Sequence, residues 1–334
     1  MEDKPGVSAP ATGHETKTPY VSLVIPVYNE EENLMALHQR INQTMRDCGR
    51  NYEVIFVDDG SADRSWSLLN EIFELDKEHA VIVQLNRNYG QHLAIMAGFE
   101  KTRGQIIVTL DADLQNPPED IPKLVAKIEE GYDTVGGWRG NRQDSWLRTL
   151  PSHLVNRVMG ASIGGAIRDS GCMLRAYRKE IIDQINKCPE ATSFIPALAN
   201  SFAGRIAEIE VGHSAREKGQ SKYNLFRLIQ LNFDLMTGFS LIPIQAVSWA
   251  GVIIAILGLA FAGFLFLRRL IIGPEVEGIF TLFAILFFFV GIQILALGMV
   301  GEYVGRIYRE VRGRPKYVIR QMLRQDGSSR GTCE

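Results

Sequence analysis

Tyr52-Glu-Val-Ile-Phe-Val-Asp-Asp-Gly-Ser61 opens with six strand-forming residues and stops abruptly on two carboxylates and a glycine. A nearly unbroken apolar run of this length suits a strand buried on both faces. The pattern recurs on either side. Residues 21–27 read as a buried strand followed by an acidic helix start at Glu30, Glu31 and Glu32. A helix over about 63–75 leads to a strand at 80–85. A helix around 91–101 then leads to a strand at 105–110, which ends on Asp111-Ala-Asp113. Short strands alternating with helices predict an α/β fold with a mostly parallel, helix-covered sheet. Ligands of such sheets bind beyond the carboxyl ends of the strands. Both aspartate clusters lie at such ends.

Beyond residue 130 the pattern loosens, with a basic-aromatic stretch over 138–148 and a helix-like stretch at 151–159. The chain has 334 residues with 36 Lys+Arg against 38 Asp+Glu, an average that suits a soluble enzyme. The distribution says otherwise. No charge occurs over 235–267, a run of 33 residues, or over 278–301, a run of 24. A membrane-spanning helix needs roughly 20 apolar residues, so each run is long enough. A purely soluble protein and a many-span transporter are both excluded. Disorder and a disulfide scaffold are excluded too, because Cys48, Cys172, Cys188 and Cys333 show no framework or metal-ligand spacing.

These breaks divide the chain. Residues 1–18, rich in Pro, Gly, Ala and Thr, read as a disordered leader. Residues 19–222 form the sheet domain. Residues 223–243 carry Leu225, Leu228, Ile229, Phe233 and Met236 at helical spacing, which suits an interfacial amphipathic segment; an ordinary surface helix has the same pattern. Residues 244–301 form a hairpin of two transmembrane helices, at about 244–267 and 279–300, after Pro243. Gly251, Gly258, Gly263, Gly291 and Gly298 are expected to let helices approach closely, and the hairpin is a candidate surface for homo-oligomers. Residues 302–334 form a tail of eight basic and four acidic residues. This tail, and the absence of a signal ahead of the first run, place both termini and the sheet domain in the cytoplasm. Residues 1–234 carry 26 basic and 32 acidic residues, a balance that argues against nucleic acid as a partner.

Asp111 and Asp113, one residue apart at a strand end, suit a hard divalent cation that bridges to substrate phosphates. A lone Asp-x-Asp also fits a solvated turn. Asp58 and Asp59 mark a second acidic strand end, where a carboxylate can accept from a nucleobase N–H or ribose hydroxyls; Ser61 or Asp63 equally fits a cap on the next helix. Arg139, Arg142 and Arg148 surround Trp138 and Trp146. Arg216-Glu-Lys218-Gly-Gln-Ser221-Lys222 is a basic loop just before the interfacial segment. Arginine and lysine suit phosphate recognition, and a basic juxtamembrane face also attracts anionic lipid. His92 fits either a sugar or diphosphate contact or a local hydrogen bond at a helix start. Cys172 reads as a packed thiol.

Ile25-Pro-Val-Tyr-Asn-Glu30, Val57-Asp-Asp-Gly-Ser61 and Leu110-Asp-Ala-Asp-Leu-Gln-Asn-Pro-Pro-Glu119 together resemble family 2 inverting glycosyltransferases of the polyprenyl-phosphate branch. The resemblance runs over nearly the whole chain after residue 20. It implies a Rossmann-like GT-A domain on a membrane hairpin in the bacterial inner membrane. By the same resemblance, Pro26, Tyr28, Glu30 and Asp58 line the uridine pocket. Asp111, Asp113 and Gln115 organise Mg2+ or Mn2+ and the diphosphate. Asp169 stands near the reacting sugar, while Arg139, Arg142, Arg216, Ser221 and Lys222 clamp the diphosphate and the acceptor phosphate.

Asn86-Arg-Asn-Tyr-Gly-Gln-His92, Asn141-Arg-Gln-Asp-Ser-Trp146 and Gly171-Cys-Met-Leu-Arg-Ala-Tyr-Arg178 narrow the resemblance to members that move 4-deoxy-4-formamido-L-arabinose from UDP to undecaprenyl phosphate, in lipid A modification and polymyxin resistance. Ser170-Gly-Cys172 departs from the branch's usual motif and leaves UDP-glucose or GDP-mannose as alternative donors. A nucleotide-binding but inactive membrane scaffold is the alternative of another class. A lipid phosphate is already an anion at pH 7, so alignment and charge stabilisation of the leaving UDP are expected to dominate catalysis. Asp169 is then a positioning group rather than an obligatory base.

Overall fold

The computed structural model describes residues 18–140, 169, 172–188, 194–212, 242–272 and 279–325. Its strands are β1 (Val21–Val27), β2 (Tyr52–Asp58), β3 (Ala80–Leu85), β4 (Ile106–Thr109), β5 (Thr134–Arg139), β6 (Arg175–Arg178), β7 (Ile206–Val211) and β8 (Ile319–Leu323). The helices are α1 (Leu34–Cys48), α2 (Ser65–Leu75), α3 (Gln91–Phe99), α4 (Ile121–Glu129), α5 (Lys179–Lys187), α6 (Ile195–Phe202), α7 (Ile242–Ile272) and α8 (Ile279–Val311). The strands form one eight-stranded sheet in the order β7-β5-β6-β4-β1-β2-β3-β8. β1 pairs in parallel with β2 and β4, β2 with β3, and β5 with β7. β6 and β8 run against their neighbours. The α/β expectation is met, with a mixed sheet.

Successive strand residues point to opposite faces, and both faces are covered. Leu23, Ile25, Val54, Phe56, Ile82 and Val108 pack with Leu37 and Ile41 of α1, Leu69 and Ile72 of α2, and Leu124 of α4. Val24, Ile55, Val57, Val83 and Ile107 pack with Ile95 and Phe99 of α3, Ile182 of α5 and Leu198 of α6. This two-sided burial is why β2 reads as a continuous apolar run rather than an alternating one. Gly98 shows how closely α3 lies on the sheet: a Cβ there would come within 2.4 Å of Val24 Cγ1. That approach sets Gln91, at the start of α3, near the carboxyl ends of the strands.

The chain order reverses at β1, with β2 and β3 on one side and β4 on the other. β4 pairs with β1 only as far as Val24, whereas β2 continues to Val27. Beyond Val24, β1 and β4 therefore part. Such a switch point opens the crevice where ligands of open α/β sheets bind.

The two uncharged runs mark apolar segments but not helix ends. α7 continues through Arg268 and Arg269, and α8 continues from Glu302 to Val311. Helical hydrogen bonds close within the helix whatever the side-chain charge. α8 then stops ahead of Gly313, whose φ of +61° favours glycine, and Pro315. Among the described residues one helix, over Ile285–Gly305, is long and apolar enough to cross a membrane, and the apolar stretch of α7 is shorter, Val247–Gly258. Both helices expose large apolar side chains, including Trp249, Ile253, Leu257, Phe287, Ile294 and Leu297. A Cβ on Gly251, Gly258, Gly263, Gly291 or Gly298 would meet nothing within 4 Å. Among the described residues these glycines therefore mark no close approach between helices.

The stretch expected as a simple basic tail is built differently. Residues 302–311 finish α8, and Ile319–Leu323 add β8 to the edge of β3. The leader up to residue 17, the amphipathic segment up to residue 241 and the expected helix at 151–159 lie outside the described residues.

Candidate active site

The ends of β1 and β2 are stitched together by their loops. Asn29, with a φ of 56°, donates its N–H to Ser61 Oγ at 3.1 Å and accepts Ala62 N–H on Oδ1 at 2.8 Å. Glu30 N–H donates to Ser65 Oγ at 2.9 Å, and the Glu30 carboxylate accepts from Asn33 Nδ2 at 2.7 Å. Ser61 is thus spent on the β1 loop rather than on capping α2. Asp63 meets the start of α2 instead, accepting Ser65 N–H at 2.9 Å and Glu31 N–H at 3.2 Å. Burial pushes the Asp63 pKa up, but hydrogen bonds from Ser65 and Glu31 outweigh it and hold the carboxyl below its ordinary value. Tyr28 is exposed at the tip of β1, while Pro26 lies partly covered within the strand.

Asp58 and Asp59 are buried. Asp58 accepts Ser61 N–H at 3.1 Å and Gln84 Nε2 at 3.3 Å. Asp59 accepts the N–H groups of Tyr89 and Gly90 at 2.7 and 2.8 Å, which fixes the loop after β3. Burial pushes the Asp59 carboxyl up from its ordinary value, against the pull of those two N–H groups. Gly60, with a φ of +68°, lets the two loops meet, since a Cβ there would lie 2.6 Å from the Arg87 carbonyl carbon.

Across the crevice, Asp111 and Asp113 follow β4 and are partly exposed. Asp111 Oδ1 accepts from Gln91 Nε2 at 2.5 Å, and Asp113 Oδ1 accepts Gln115 N–H at 3.1 Å. Leu114 between Asp113 and Gln115 has a φ of 59°. For a branched side chain this left-handed backbone costs roughly 1–2 kcal/mol, and strain of that kind concentrates at functional sites. Leu114 packs against the core, which holds the turn in place. Among the described residues no group of three or more His, Cys, Asp or Glu side chains gathers for a metal. The pair fits a cation that takes one or two carboxylates from the protein and completes its shell with phosphate oxygens and water.

A third side of the crevice is formed where β5 ends and β6 begins. Arg139 grips the buried Asp169 with both arms, Nε to Oδ2 at 2.6 Å and Nη2 to Oδ1 at 2.9 Å. Arg175, also buried, donates to the backbone carbonyls of Asp169 and Cys172 at 2.8 and 2.9 Å. The carboxylate of Asp169 and its backbone are thus both anchored by arginines. Cys172 is a packed thiol: Sγ lies 3.7 Å from Asn116 Oδ1, and burial pushes its pKa up.

The structure therefore gathers Pro26, Tyr28, Glu30, Asp58, Asp111, Asp113, Gln115, Arg139 and Asp169 at one end of the sheet. Arg142, Trp146, Arg148, Arg216, Ser221 and Lys222 lie outside the described residues. His92 Nδ1 is buried with no hydrogen-bond partner, its ring stands edge-on to Phe194 at 5.7 Å, and burial pushes its pKa down. That nitrogen makes no local helix-start bond. Gln91, Leu114 and Arg175 join the site without a sequence signal that marks them. Gln91 stood inside a quoted motif, but nothing in sequence spacing joins it to Asp111.

The model of the family described as Glycosyl transferase family 2 matches residues 22–185. An undecaprenyl-phosphate 4-deoxy-4-formamido-L-arabinose transferase of Klebsiella pneumoniae is 52% identical over 307 residues, covering 91% of this chain and 94% of that protein. Glucosyl-3-phosphoglycerate synthase from Mycobacterium tuberculosis, solved with Mn2+, uridine diphosphate and glucosyl-3-phosphoglycerate, is 17% identical with a TM-score of 0.46, covering 71% of this chain and 84% of that one. S. aureus TarS with UDP-GlcNAc is 16% identical with a TM-score of 0.44, covering 66% and 68%.

Proposed function

The chain belongs to glycosyl transferase family 2, and from that premise we propose that it moves 4-deoxy-4-formamido-L-arabinose from UDP to undecaprenyl phosphate at a membrane surface. Donor and acceptor follow the Klebsiella relative, whose likeness runs along nearly the whole of both chains. One geometric observation carries the reading. Asp58, Asp111 and Asp113 stand at the end of the sheet where β1 and β4 part, and the chain leaving α8 re-enters the sheet as β8 at that same end.

In this reading Asp58 accepts from the uracil or ribose, with Pro26, Tyr28 and Glu30 lining the same pocket. Asp111 and Asp113, with Gln115, hold Mg2+ or Mn2+ against the donor diphosphate. The bound cation supplies charge compensation for the departing UDP. Arg139, Arg142, Arg216, Ser221 and Lys222 add positive charge and hydrogen bonds to the two phosphate groups. The acceptor phosphate is the nucleophile and needs no base, and its one-step attack inverts the anomeric carbon. Asp169, gripped by Arg139, orients the sugar or Arg139 itself.

The same topology supports a hairpin anchor with the sheet and both ends of the chain on the cytoplasmic face. Only residues 312–318 separate α8 from β8, a reach of at most roughly 25 Å at about 3.5 Å per residue. In this reading the carboxyl end of the sheet, with its aspartates, faces the bilayer that holds the acceptor.

The test is a donor panel. Purified full-length chain is mixed with undecaprenyl phosphate, Mg2+ or Mn2+, and single nucleotide sugars, and the lipid extract is assayed for sugar. UDP-4-deoxy-4-formamido-L-arabinose is expected to give product. Transfer from UDP-glucose or GDP-mannose alone overturns the sugar assignment, and no transfer from any donor overturns the activity.

A further inference from the structure

The edge of the sheet nearest the donor side is closed by residues that come after the long helices. β8 lies against β3, with Ile319 opposite Leu85 and Leu323 opposite Ile82. At the amino end of β3, Arg324 Nη2 donates to Lys101 O at 2.6 Å and to the buried Glu53 carboxylate at 3.3 Å. At the carboxyl end the contact goes past the strand, where Asn86 N–H donates to Val318 O at 3.1 Å. Tyr317, just ahead of β8, donates its hydroxyl to the Glu100 carboxylate at the far end of α3.

From Asn86 a continuous set of bonds leads into the crevice. Asn86 Oδ1 accepts from Tyr89 Oη at 2.7 Å, and Asp59 holds the N–H groups of Tyr89 and Gly90. Gln91, the next residue, donates its side-chain amide to Asp111. Covering the edge strand alone would require only the β3 to β8 ladder. The bond from Val318 to the loop, and the loop's own bond to Asp111, lie outside that ladder.

We propose that residues 86–90, with Gln91 at the start of α3, form a positioning loop for the donor and its cation, and that the strand following the membrane helices sets this loop. Donor affinity then depends on the docking of β8, and thereby on the membrane-anchored end of the chain. The proposal rests on the reading in which Asp111 and Asp113 bind the donor diphosphate through a cation. Gln91, Tyr89 and Arg324 are positioning residues in it: Gln91 sets the Asp111 carboxylate, and the other two act through the loop.

The experiment uses full-length chain in lipid nanodiscs and two readouts. The first is the Kd for UDP in the presence of MnCl2, by titration calorimetry. The second is the split of steady-state rates into donor KM, acceptor KM and kcat. Tyr89→Phe and Gln91→Ala are expected to weaken UDP binding about 3- to 10-fold, the loss of one or two hydrogen bonds, and to raise donor KM equally. Acceptor KM and kcat should stay within about twofold. Arg324→Ala is expected to do the same, and its effect should not add to that of Gln91→Ala, because both act on one loop. Tyr317→Phe loosens the tail more gently and serves if Arg324→Ala fails to fold. A lower thermal midpoint with unchanged UDP Kd in the tail variants would reduce β8 to an edge cover. Unchanged UDP Kd in Gln91→Ala and Tyr89→Phe would remove the loop's role. Undiminished binding of UDP and Mn2+ by Asp113→Ala would instead sink the underlying metal reading, whatever the loop variants do.

Discussion

Two acidic strand ends face each other across one crevice, and they are built in opposite ways. Asp58 and Asp59 are buried, and their carboxylates hold the loops after β2 and β3 through Ser61, Gln84, Tyr89 and Gly90. Asp111 and Asp113 are partly exposed on a strained turn, and Asp111 accepts from the exposed side-chain amide of Gln91. A backbone donor held inside the fold is costly to give up, whereas an exposed side-chain amide orients a carboxylate that stays accessible to solvent. The same residue type thus ties loops together inside the fold on one wall and stands partly open to solvent on the other.

The contrast breaks most sharply under substitution. Asp113→Ala is expected to lower transfer by about 1,000-fold, the scale of losing charge stabilisation at a leaving group, with an unmoved thermal midpoint. A fall in midpoint would put Asp113 in the framework instead. Asp59→Ala leaves two loop N–H groups without their acceptor and should cost roughly 2–4 kcal/mol of stability, read by chemical denaturation. Asp59→Asn keeps one acceptor oxygen and should cost about half as much. A loss of UDP binding without destabilisation would move Asp59 to the ligand wall.

A third aspartate sharpens the comparison from outside the crevice. Asp76, ahead of β3, accepts from His38, His79 and Asn42 at 3.0, 2.8 and 2.9 Å. Burial raises its pKa, but hydrogen bonds from His38, His79 and Asn42 outweigh that and hold it well below the usual carboxylate range. Its contribution to stability is present above about pH 4 and is lost as the pH falls. The bond to Asp76 raises the pKa of His79. The contribution of His79 is therefore full below about pH 6.5 and fades as the pH rises through its folded value. The stability gap between the wild type and His79→Gln should narrow from about pH 6 to about pH 8, with no effect on donor KM. A gap that widens over that range would refute the linkage.

Much of the crevice was legible before any coordinates. β1 to β4 lie within a residue or two of their expected spans, because each is buried on both faces, and β2 and β4 run out into aspartates. The acidic helix start at Glu30 to Glu32 was less faithful. α1 begins at Leu34, since Glu30 and Glu31 are drawn into bonds with Asn33 and with the N–H of Arg64. β8 was missed because Ile-Arg-Gln-Met-Leu is five residues with a charge and no alternation, and its signal lies wholly in its partner β3. The Gln91 contact with Asp111 spans 20 residues and depends on how α3 settles on the sheet. No local pattern encodes it.

The place of β8 has a consequence in time. A ribosome delivers β3 long before β8, and two helices of 31 and 33 residues come between them. Until residues 319–323 emerge, that edge of β3 lacks the strand that covers it in the finished sheet. An open edge is a template for wrong partners, and chains are made at only about 5–20 residues per second. Synthesis of the two long helices and completion of the sheet are therefore coupled in a single maturation step, and a chain stalled in its helices carries an unfinished enzyme.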